Sequence, residues 1–81
     1  MYKLIMFSAK YCGPCKRGEL LLQKFQIDTG AEVEHIDCYE NVEAAKRYHI
    51  RHIPTFILEE DGNEIARNKG LSLSYFYDLV K

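Results

Sequence analysis

The sequence lacks the features that would indicate a nucleic-acid or membrane partner. Its 81 residues include 11 basic and 12 acidic side chains, giving a formal net charge of -1, and these charges are interspersed rather than gathered in a tract. Neither a nucleic acid nor an acidic membrane surface is therefore indicated as a partner. No apolar run approaches the roughly 18 residues of a membrane span. Internal repeats, low-complexity segments and linkers are also missing.

Signals for export are lacking as well. The opening stretch MYKLIMFSAK has one lysine and a short apolar run, without the longer apolar region and small-residue cleavage site of a signal peptide. We therefore expect a cytoplasmic protein, and stable structural disulfides are rare in that compartment. The chain has only three cysteines, and an odd number fits poorly with a disulfide framework.

What is present indicates one small α/β domain over residues 1–81, with the element order β-α-β-α-β-β-α. Four runs have the composition of strands: Tyr2–Phe7, Glu32–Asp37, Thr55–Leu58 and Asn63–Arg67. Asp61-Gly62 is a good hairpin turn between the last two runs. The first β-α-β unit predicts parallel strands with a right-handed crossover, and the hairpin predicts an antiparallel pair. We therefore expect a four-stranded mixed sheet with helices on both faces.

Three segments between these strands are typical of helices. The first begins near Gly13 or Pro14, since proline fits the first turn of a helix, and it ends before Gly30. Asn41 is the expected N-cap of the second helix, and Ser72 that of the third. The side chains expected to face the core are Val42, Ala45 and Tyr48 in the second helix and Leu73, Phe76 and Val80 in the third.

The stretch YCGPCK places Cys12 and Cys15 around a Gly-Pro pair, just after the first strand, where α/β sheets usually carry their sites. At the start of a helix, free N–H groups and the helix dipole favour a thiolate, which is the species that attacks disulfides. We therefore predict Cys12 as the nucleophile. Cys15 lies one turn on, faces inward and is predicted as the resolving thiol. Pro14 stiffens this turn and Gly13 allows close approach of another backbone. Nearby positive charge comes from Lys10, Lys16 and Arg17.

Metal binding is the alternative reading of the same cysteines. The residues Cys12, Cys15, His35 and Cys38 form a C-x-x-C pair followed by H-x-x-C, a spacing that zinc sites use. Zinc does not require a Gly-Pro spacer, and the predicted second strand need not direct His35 and Cys38 toward the helix start. A zinc-binding module is therefore the less favoured interpretation. Cys38 by itself is interpreted as a small loop residue, with a regulatory or dimer-forming thiol as the alternative.

Four segments in order, YCGPCK, IRHIPTF, DGNEIAR and KGLSLSYFYDLVK, resemble the thioredoxin family, and the resemblance covers nearly the whole chain. It implies a thioredoxin fold and a thiol-disulfide oxidoreductase that reduces protein disulfides through a mixed disulfide. It further implies that no cofactor is bound and that electrons come from NADPH through a thioredoxin-reductase-like partner. Disulfide-containing proteins are the implied clients, ribonucleotide reductase being one candidate, and a monomer is expected.

The resemblance also assigns residues to a site. It implies that Pro54 is cis and lies beside Cys12, and that backbone atoms of Ile53 pair with a bound peptide. Lys16 is counted among the residues that support the cysteine pair. The implied docking surface is shallow and apolar, and it consists of Tyr11, Pro14, Ile53, Gly70 and Leu71.

The chain departs from the family pattern at several points. It is shorter than usual thioredoxins, lacks their first strand and helix, and has the dimensions of a glutaredoxin. Tyr11 stands where thioredoxins usually have tryptophan. Met6 stands where they usually bury an aspartate that is thought to assist proton transfer at the second cysteine. The base that serves Cys15 is therefore open, with water or substrate as candidates.

A glutathione-linked, glutaredoxin-like oxidoreductase is the second alternative. Glutaredoxins usually carry Cys-Pro-Tyr-Cys, a Thr-Val-Pro turn and a Gly-Gly followed by acidic residues. The corresponding stretches here are CGPC, HIPT and KGLSLS, so the features that hold glutathione are mostly missing. Thioredoxin-like activity is favoured for that reason.

Overall fold

A computed structural model of the chain describes residues 1–80, so Lys81, the last residue of the predicted domain, lies outside the described part. The strands are β1 (Tyr2–Ser8), β2 (Glu32–Asp37), β3 (Thr55–Glu60) and β4 (Asn63–Lys69). The helices are α1 (Gly13–Thr29), α2 (Val42–Arg47) and α3 (Ser74–Leu79). This order confirms the predicted β-α-β-α-β-β-α arrangement. Within residues 1–80, none of the helices combines the length and apolar character that crossing a bilayer requires.

The strands form one mixed sheet in the order β2-β1-β3-β4. β1 pairs in parallel with β2, as expected for two strands joined by a crossover helix. β3 pairs antiparallel with both β1 and β4. The hairpin turn between β3 and β4 is confirmed at Asp61 and Gly62, whose φ angles of 51° and 87° lie in the left-handed region that such a turn needs.

β1 is buried on both faces, which explains its almost continuous apolar sequence. Leu4 and Met6 point to the face covered by α1 and α3, where Phe25 belongs to the same core cluster. Ile5 and Phe7 point to the opposite face. The second cluster is completed by Ile36, Ala44 and Ile57, with Cys38, Tyr48 and Ile50 at its margin. Helices therefore cover both faces of the sheet, as predicted.

The predicted core face of α2 is partly wrong. Asn41 is the N-cap, and its side-chain oxygen accepts a hydrogen bond from the Ala44 N–H at 3.2 Å. However, Ala44 is the residue that is buried, whereas Val42 is 47% exposed. The reason is helical geometry, because Ala44 and Tyr48 are four residues apart and share the face toward the sheet.

The predicted N-cap of α3 is also wrong by one residue. Leu73 occupies the cap position, and no side-chain cap hydrogen bond is made there. Ser72 is exposed, and its hydroxyl lies 3.3 Å from that of Ser74. Burial of Leu73 (5% exposed) and Phe76 (0%) explains this start, because the helix is anchored by its apolar side chains rather than by a polar cap.

α1 lies close against β1 because Gly18 has no side chain. A Cβ atom at Gly18 would lie 2.7 Å from Met6 Sδ and 3.3 Å from Phe56 Cζ. Met6 and Phe56 are both 0% exposed, so their movement is restricted by the surrounding core. This contact seats the first turns of α1 directly on the middle of the sheet.

We expect Gly18→Ala to lower the free energy of unfolding by about 1 kcal/mol. Overpacking a core costs about 1–3 kcal/mol, which exceeds the gain in helix propensity of about 1 kcal/mol. Urea unfolding of the two proteins measures the difference. Gly13→Ala is the matched control, because a Cβ there meets nothing within 4 Å and should not destabilise the protein. A Gly18→Ala variant as stable as the parent protein would show that α1 is not held at this distance.

Candidate functional site

The site is centred on the loop that joins β1 to α1. Cys12 is the N-cap residue of α1, with extended backbone angles of φ -86° and ψ 109° and no side-chain cap hydrogen bond. Its backbone N–H donates to the Ala9 carbonyl at 3.1 Å, which fixes the turn between strand and helix. Because Cys12 is the N-cap residue of this 17-residue helix, its side chain lies at the positive end of the helix dipole.

Cys12 and Cys15 are joined by a disulfide, with their Cα atoms 5.3 Å apart. The two cysteines differ in access. Cys15 is only 3% exposed and faces the core, whereas Cys12 is half-buried at the surface. An incoming molecule can therefore reach the sulfur of Cys12 more readily than that of Cys15. Gly13 and Pro14 between them are exposed and form the start of α1.

An open groove of about 450 Å³ lies beside Cys12. Two exposed aromatic rings border it, Tyr11 at 90% exposure and Tyr39 at 79%. Exposed apolar surface of this kind next to a reactive pair is a usual mark of an interaction site. The residues that line the groove are Ala9, Lys10, Tyr11, Cys12, Asp37, Tyr39, Glu40 and Ile53.

The segment before β3 borders the groove through Ile53. The Ile53–Pro54 peptide bond is cis. Pro54 is buried, and its carbonyl accepts a hydrogen bond from the Gly70 N–H at 3.1 Å. Ile53 is 38% exposed and lines the groove. The backbone N–H and C=O groups of Ile53 make no hydrogen bond to any other residue in the described part of the chain.

Four groove residues were not singled out from the sequence as site residues: Ala9, Asp37, Tyr39 and Glu40. The Asp37 carboxylate accepts hydrogen bonds from the backbone N–H groups of Tyr39 at 2.8 Å and Glu40 at 3.1 Å. These hydrogen bonds fix the backbone of the turn after β2, and that turn carries Tyr39, which lines the groove. An aspartate at a strand end that can cap the turn after it is the sequence signal that could have identified this wall.

The basic residues near the cysteines are exposed. Lys10 Nζ lies 5.8 Å from the centroid of the Tyr11 ring, and Lys16 and Arg17 face solvent on the first turns of α1. Charges in solvent are screened within about 10 Å at ordinary salt. Cys12, as the N-cap residue, also lies at the positive end of the α1 dipole, which favours a thiolate.

Gly70 and Leu71 are not among the residues that line the groove beside Cys12. Gly70 lies behind Pro54, to which its N–H donates. Leu71 instead lines a separate hollow of about 330 Å³ on the other side of α1, together with Arg17, Leu20 and Leu21.

The four residues with zinc-like spacing are not brought together. Cys12 and Cys15 are bonded to each other, and His35 is hydrogen-bonded to Ser8. Cys38 is a free, half-buried thiol, and burial together with the neighbouring Asp37 carboxylate raises its pKa. Across residues 1–80, no three His, Cys, Asp or Glu side chains form a group that could hold a metal ion.

Comparison with known proteins relates this site to a family. The family model described as Thioredoxin matches residues 2–76. Thioredoxin from Chlamydia pneumoniae is 40% identical over 73 residues, an overlap of 84% of this chain and 68% of that protein. A mutant thioredoxin from Halobacterium salinarum superposes with a TM-score of 0.88 at 34% identity, covering 98% of this chain and 71% of the other.

A second similar structure comes from work on the thiol resolving mechanism in yeast mitochondrial 1-Cys peroxiredoxin via glutathione/thioredoxin systems. It superposes with a TM-score of 0.87 at 26% identity, covering 98% of this chain and 76% of the other. The family match, the sheet order and the Cys12–Cys15 disulfide agree with one another. The chain belongs to the thioredoxin family and is a protein-disulfide oxidoreductase with a redox-active cysteine pair.

Proposed function

We propose that the protein reduces disulfide bonds of client proteins, with Cys12 as the nucleophile and Cys15 as the resolving thiol. The observation that carries this assignment is the unequal access of the two sulfurs. Cys12 lies half-buried at the N-cap of α1 beside an open groove, whereas Cys15 is 3% exposed. A client disulfide can therefore approach Cys12 but cannot approach Cys15.

The proposed cycle begins from the dithiol. The Cys12 thiolate attacks one client sulfur, the client S–S bond breaks, and the other client sulfur leaves as a thiolate that takes up a proton. Cys15 then loses its proton and attacks Cys12 Sγ. The mixed disulfide breaks, the second client thiolate leaves, and the protein is left with the Cys12–Cys15 disulfide. Two electrons have passed to the client, so an external reductant must restore the dithiol.

The groove and the segment before Pro54 are the proposed docking surface. Tyr11, Tyr39 and Ile53 offer apolar surface for side chains near the client disulfide. The unpaired backbone groups of Ile53 can pair with an extended client segment, as one added strand pairs with a sheet edge. Gly13 and Pro14 leave the rim beside Cys12 free of bulky side chains, and Lys16 adds positive charge near the emerging thiolate.

The proposed electron donor is a thioredoxin-reductase-like protein that draws on NADPH, without a cofactor bound to this chain. Disulfide-containing proteins are the proposed clients. The similarity to a structure solved in work on a peroxiredoxin supports this class, and ribonucleotide reductase stays a candidate of the same chemical type.

The cysteine roles predict different behaviour for the two serine variants. Cys12→Ser should reduce insulin turnover with dithiothreitol to the rate without protein, because the attacking sulfur is missing. Cys15→Ser should also stop turnover but should accumulate a covalent protein–insulin adduct, visible on a non-reducing gel. Cys38→Ser is the control and should retain the parent rate. Equal loss in both variants with no adduct in Cys15→Ser would contradict the assigned order.

The choice of electron donor is tested by two coupled assays run in parallel on the same client. Thioredoxin reductase with NADPH should support turnover at least about ten times faster than glutathione with its reductase. The reason is that the stretches HIPT and KGLSLS lack the residues that glutaredoxins use to hold glutathione. NADPH oxidation measures both rates. A glutathione rate equal to or above the other would favour the glutaredoxin-like alternative.

A further inference from the structure

A polar network lies under the site and has no part in the cycle described above. The hydroxyl of Ser8, at the end of β1, is hydrogen-bonded to Nε2 of His35 on β2. Nδ1 of His35 lies 3.5 Å from the Oε1 atom of Glu19 on α1. Ser8 is 3% exposed, whereas the side chains of His35 and Glu19 are 37% and 49% exposed. The network of Ser8, His35 and Glu19 therefore leads from the interior to solvent.

The register between β1 and α1 indicates that the inner end of this network lies near Cys15. Gly18 packs on Met6, and β1 runs toward the site while α1 runs away from it. Ser8 lies about 6.6 Å beyond Met6 along the strand, and Cys15 lies about 4.5 Å before Gly18 along the helix. Both displacements are directed toward the site. Ser8 and Met6 point to the same face because they are two residues apart on a strand. From this register we infer that the Ser8 hydroxyl lies close to the first turn of α1, which carries Cys15.

Cys15 needs a proton acceptor in the second step of the proposed cycle. Its burial disfavours the thiolate, yet the thiolate must form before the mixed disulfide can be resolved. Met6, which faces the same helix, cannot accept a proton. Among the described residues, only Ser8 and Thr55 are buried polar side chains, and the Thr55 hydroxyl donates to the His52 carbonyl at 2.5 Å. Ser8 is therefore the polar group best placed to serve the interior side of Cys15.

We propose that His35, acting through Ser8, accepts the proton that Cys15 loses during resolution; the proposal rests on the cysteine roles proposed above. The Sγ–H bond of Cys15 breaks and its proton passes to the Ser8 oxygen, while the Ser8 hydroxyl proton moves to His35 Nε2. The sulfur electron pair forms the bond to Cys12 Sγ, and the client sulfur leaves with the pair from the mixed disulfide. His35 then returns its extra proton to solvent through its exposed edge.

The charged groups around His35 support this role. Glu19 approaches the ring from α1, and Asp37 is two residues further along β2 on the same face. Both of these side chains carry negative charge, whereas Lys16, three residues before Glu19 on α1, carries positive charge. β1 contributes Ser8 and Met6 opposite His35, and neither carries charge. The geometry assigns His35 the part of a positioning and proton-relaying residue, since it acts on Cys15 only through Ser8.

The same connectivity, hydroxyl to imidazole to carboxylate, also occurs in serine hydrolases. A hydrolytic role does not fit this structure because the Ser8 hydroxyl is buried at 3% exposure, so an ester or amide carbon has no approach to it. The sulfur of Cys15 also lies in the interior, so a buried hydroxyl can accept its proton.

The test follows thionitrobenzoate release from dithiobis(nitrobenzoate) by reduced protein in stopped flow, with Cys38→Ser in every sample to remove the third thiol. The first release reports attack by Cys12 and depends on reagent concentration. The second reports resolution by Cys15 and does not. At neutral pH, His35→Gln should slow the second release about a hundredfold, the lower end of the range for a positioned base, and leave the first within about twofold. Glutamine can keep a hydrogen bond to Ser8 but cannot take up a proton.

The pH profile separates proton transfer from a structural effect. The defect of His35→Gln should shrink steadily as the pH is raised beyond about 8.5, the value of a free thiol, because hydroxide then removes the proton of the buried Cys15 without a base from the protein. Added imidazole should restore part of the lost rate. Glu34→Gln is the matched control on the same strand, because Glu34 pairs with Lys3 at 2.6 Å on the other face and should have no effect. Glu19→Gln, at an exposed position, should slow the second release about threefold and provides the test if His35→Gln does not fold.

A second release of normal rate in a folded His35→Gln protein would overturn the relay while leaving the cysteine roles intact. A defect of constant size at all pH values, without rescue by imidazole, would overturn it as well. Loss of the first release in the parent protein would instead contradict the role of Cys12, so the two proposals fail by different results.

Discussion

The close packing of α1 on β1 is the contact on which the site depends. Because Gly18 offers no Cβ, the helix rests on Met6 and Phe56 in the middle of the sheet. The N-terminus of α1 then lies near the end of β1. A short turn, fixed by the hydrogen bond from the Cys12 N–H to the Ala9 carbonyl, joins the strand to the helix. A cysteine in that turn is automatically both an N-cap residue and a surface residue. The position of the cysteine pair is therefore set by the packing of α1 on the sheet and by the short turn before it.

The rest of the sheet supplies what surrounds this cysteine. The end of β2 contributes Asp37, whose carboxylate orders the turn that carries Tyr39. The segment before β3 contributes Ile53 with unpaired backbone groups, and the Gly70 N–H after β4 holds the Pro54 carbonyl. The groove beside the cysteine pair is thus assembled from the ends of neighbouring strands. Both sulfurs come from the N-cap and the first turn of a single helix, α1.

The sequence predicts the fold well where local chemistry is decisive. The apolar run of β1, the Asn41 cap and the Asp61-Gly62 turn all have the structures expected of them. Prediction fails at the Ser72 cap, where burial of Leu73 and Phe76 sets the start of α3. The groove wall at Tyr39 and the contacts of His35 with Ser8 and Glu19 could not be inferred, because they depend on the register between elements that are distant in sequence.

We expect Cys12 to be a thiolate near neutral pH, because it lies at the N-terminus of α1. The rate of iodoacetamide alkylation of the reduced protein, followed at each cysteine by mass spectrometry as the pH is varied, tests this claim most directly. Cys12 should react at half its maximal rate well below about pH 8.5, the value of a free thiol. Cys38, whose pKa is raised by burial and by Asp37, should require a pH above that value. Matching profiles for Cys12 and Cys38 would contradict the account.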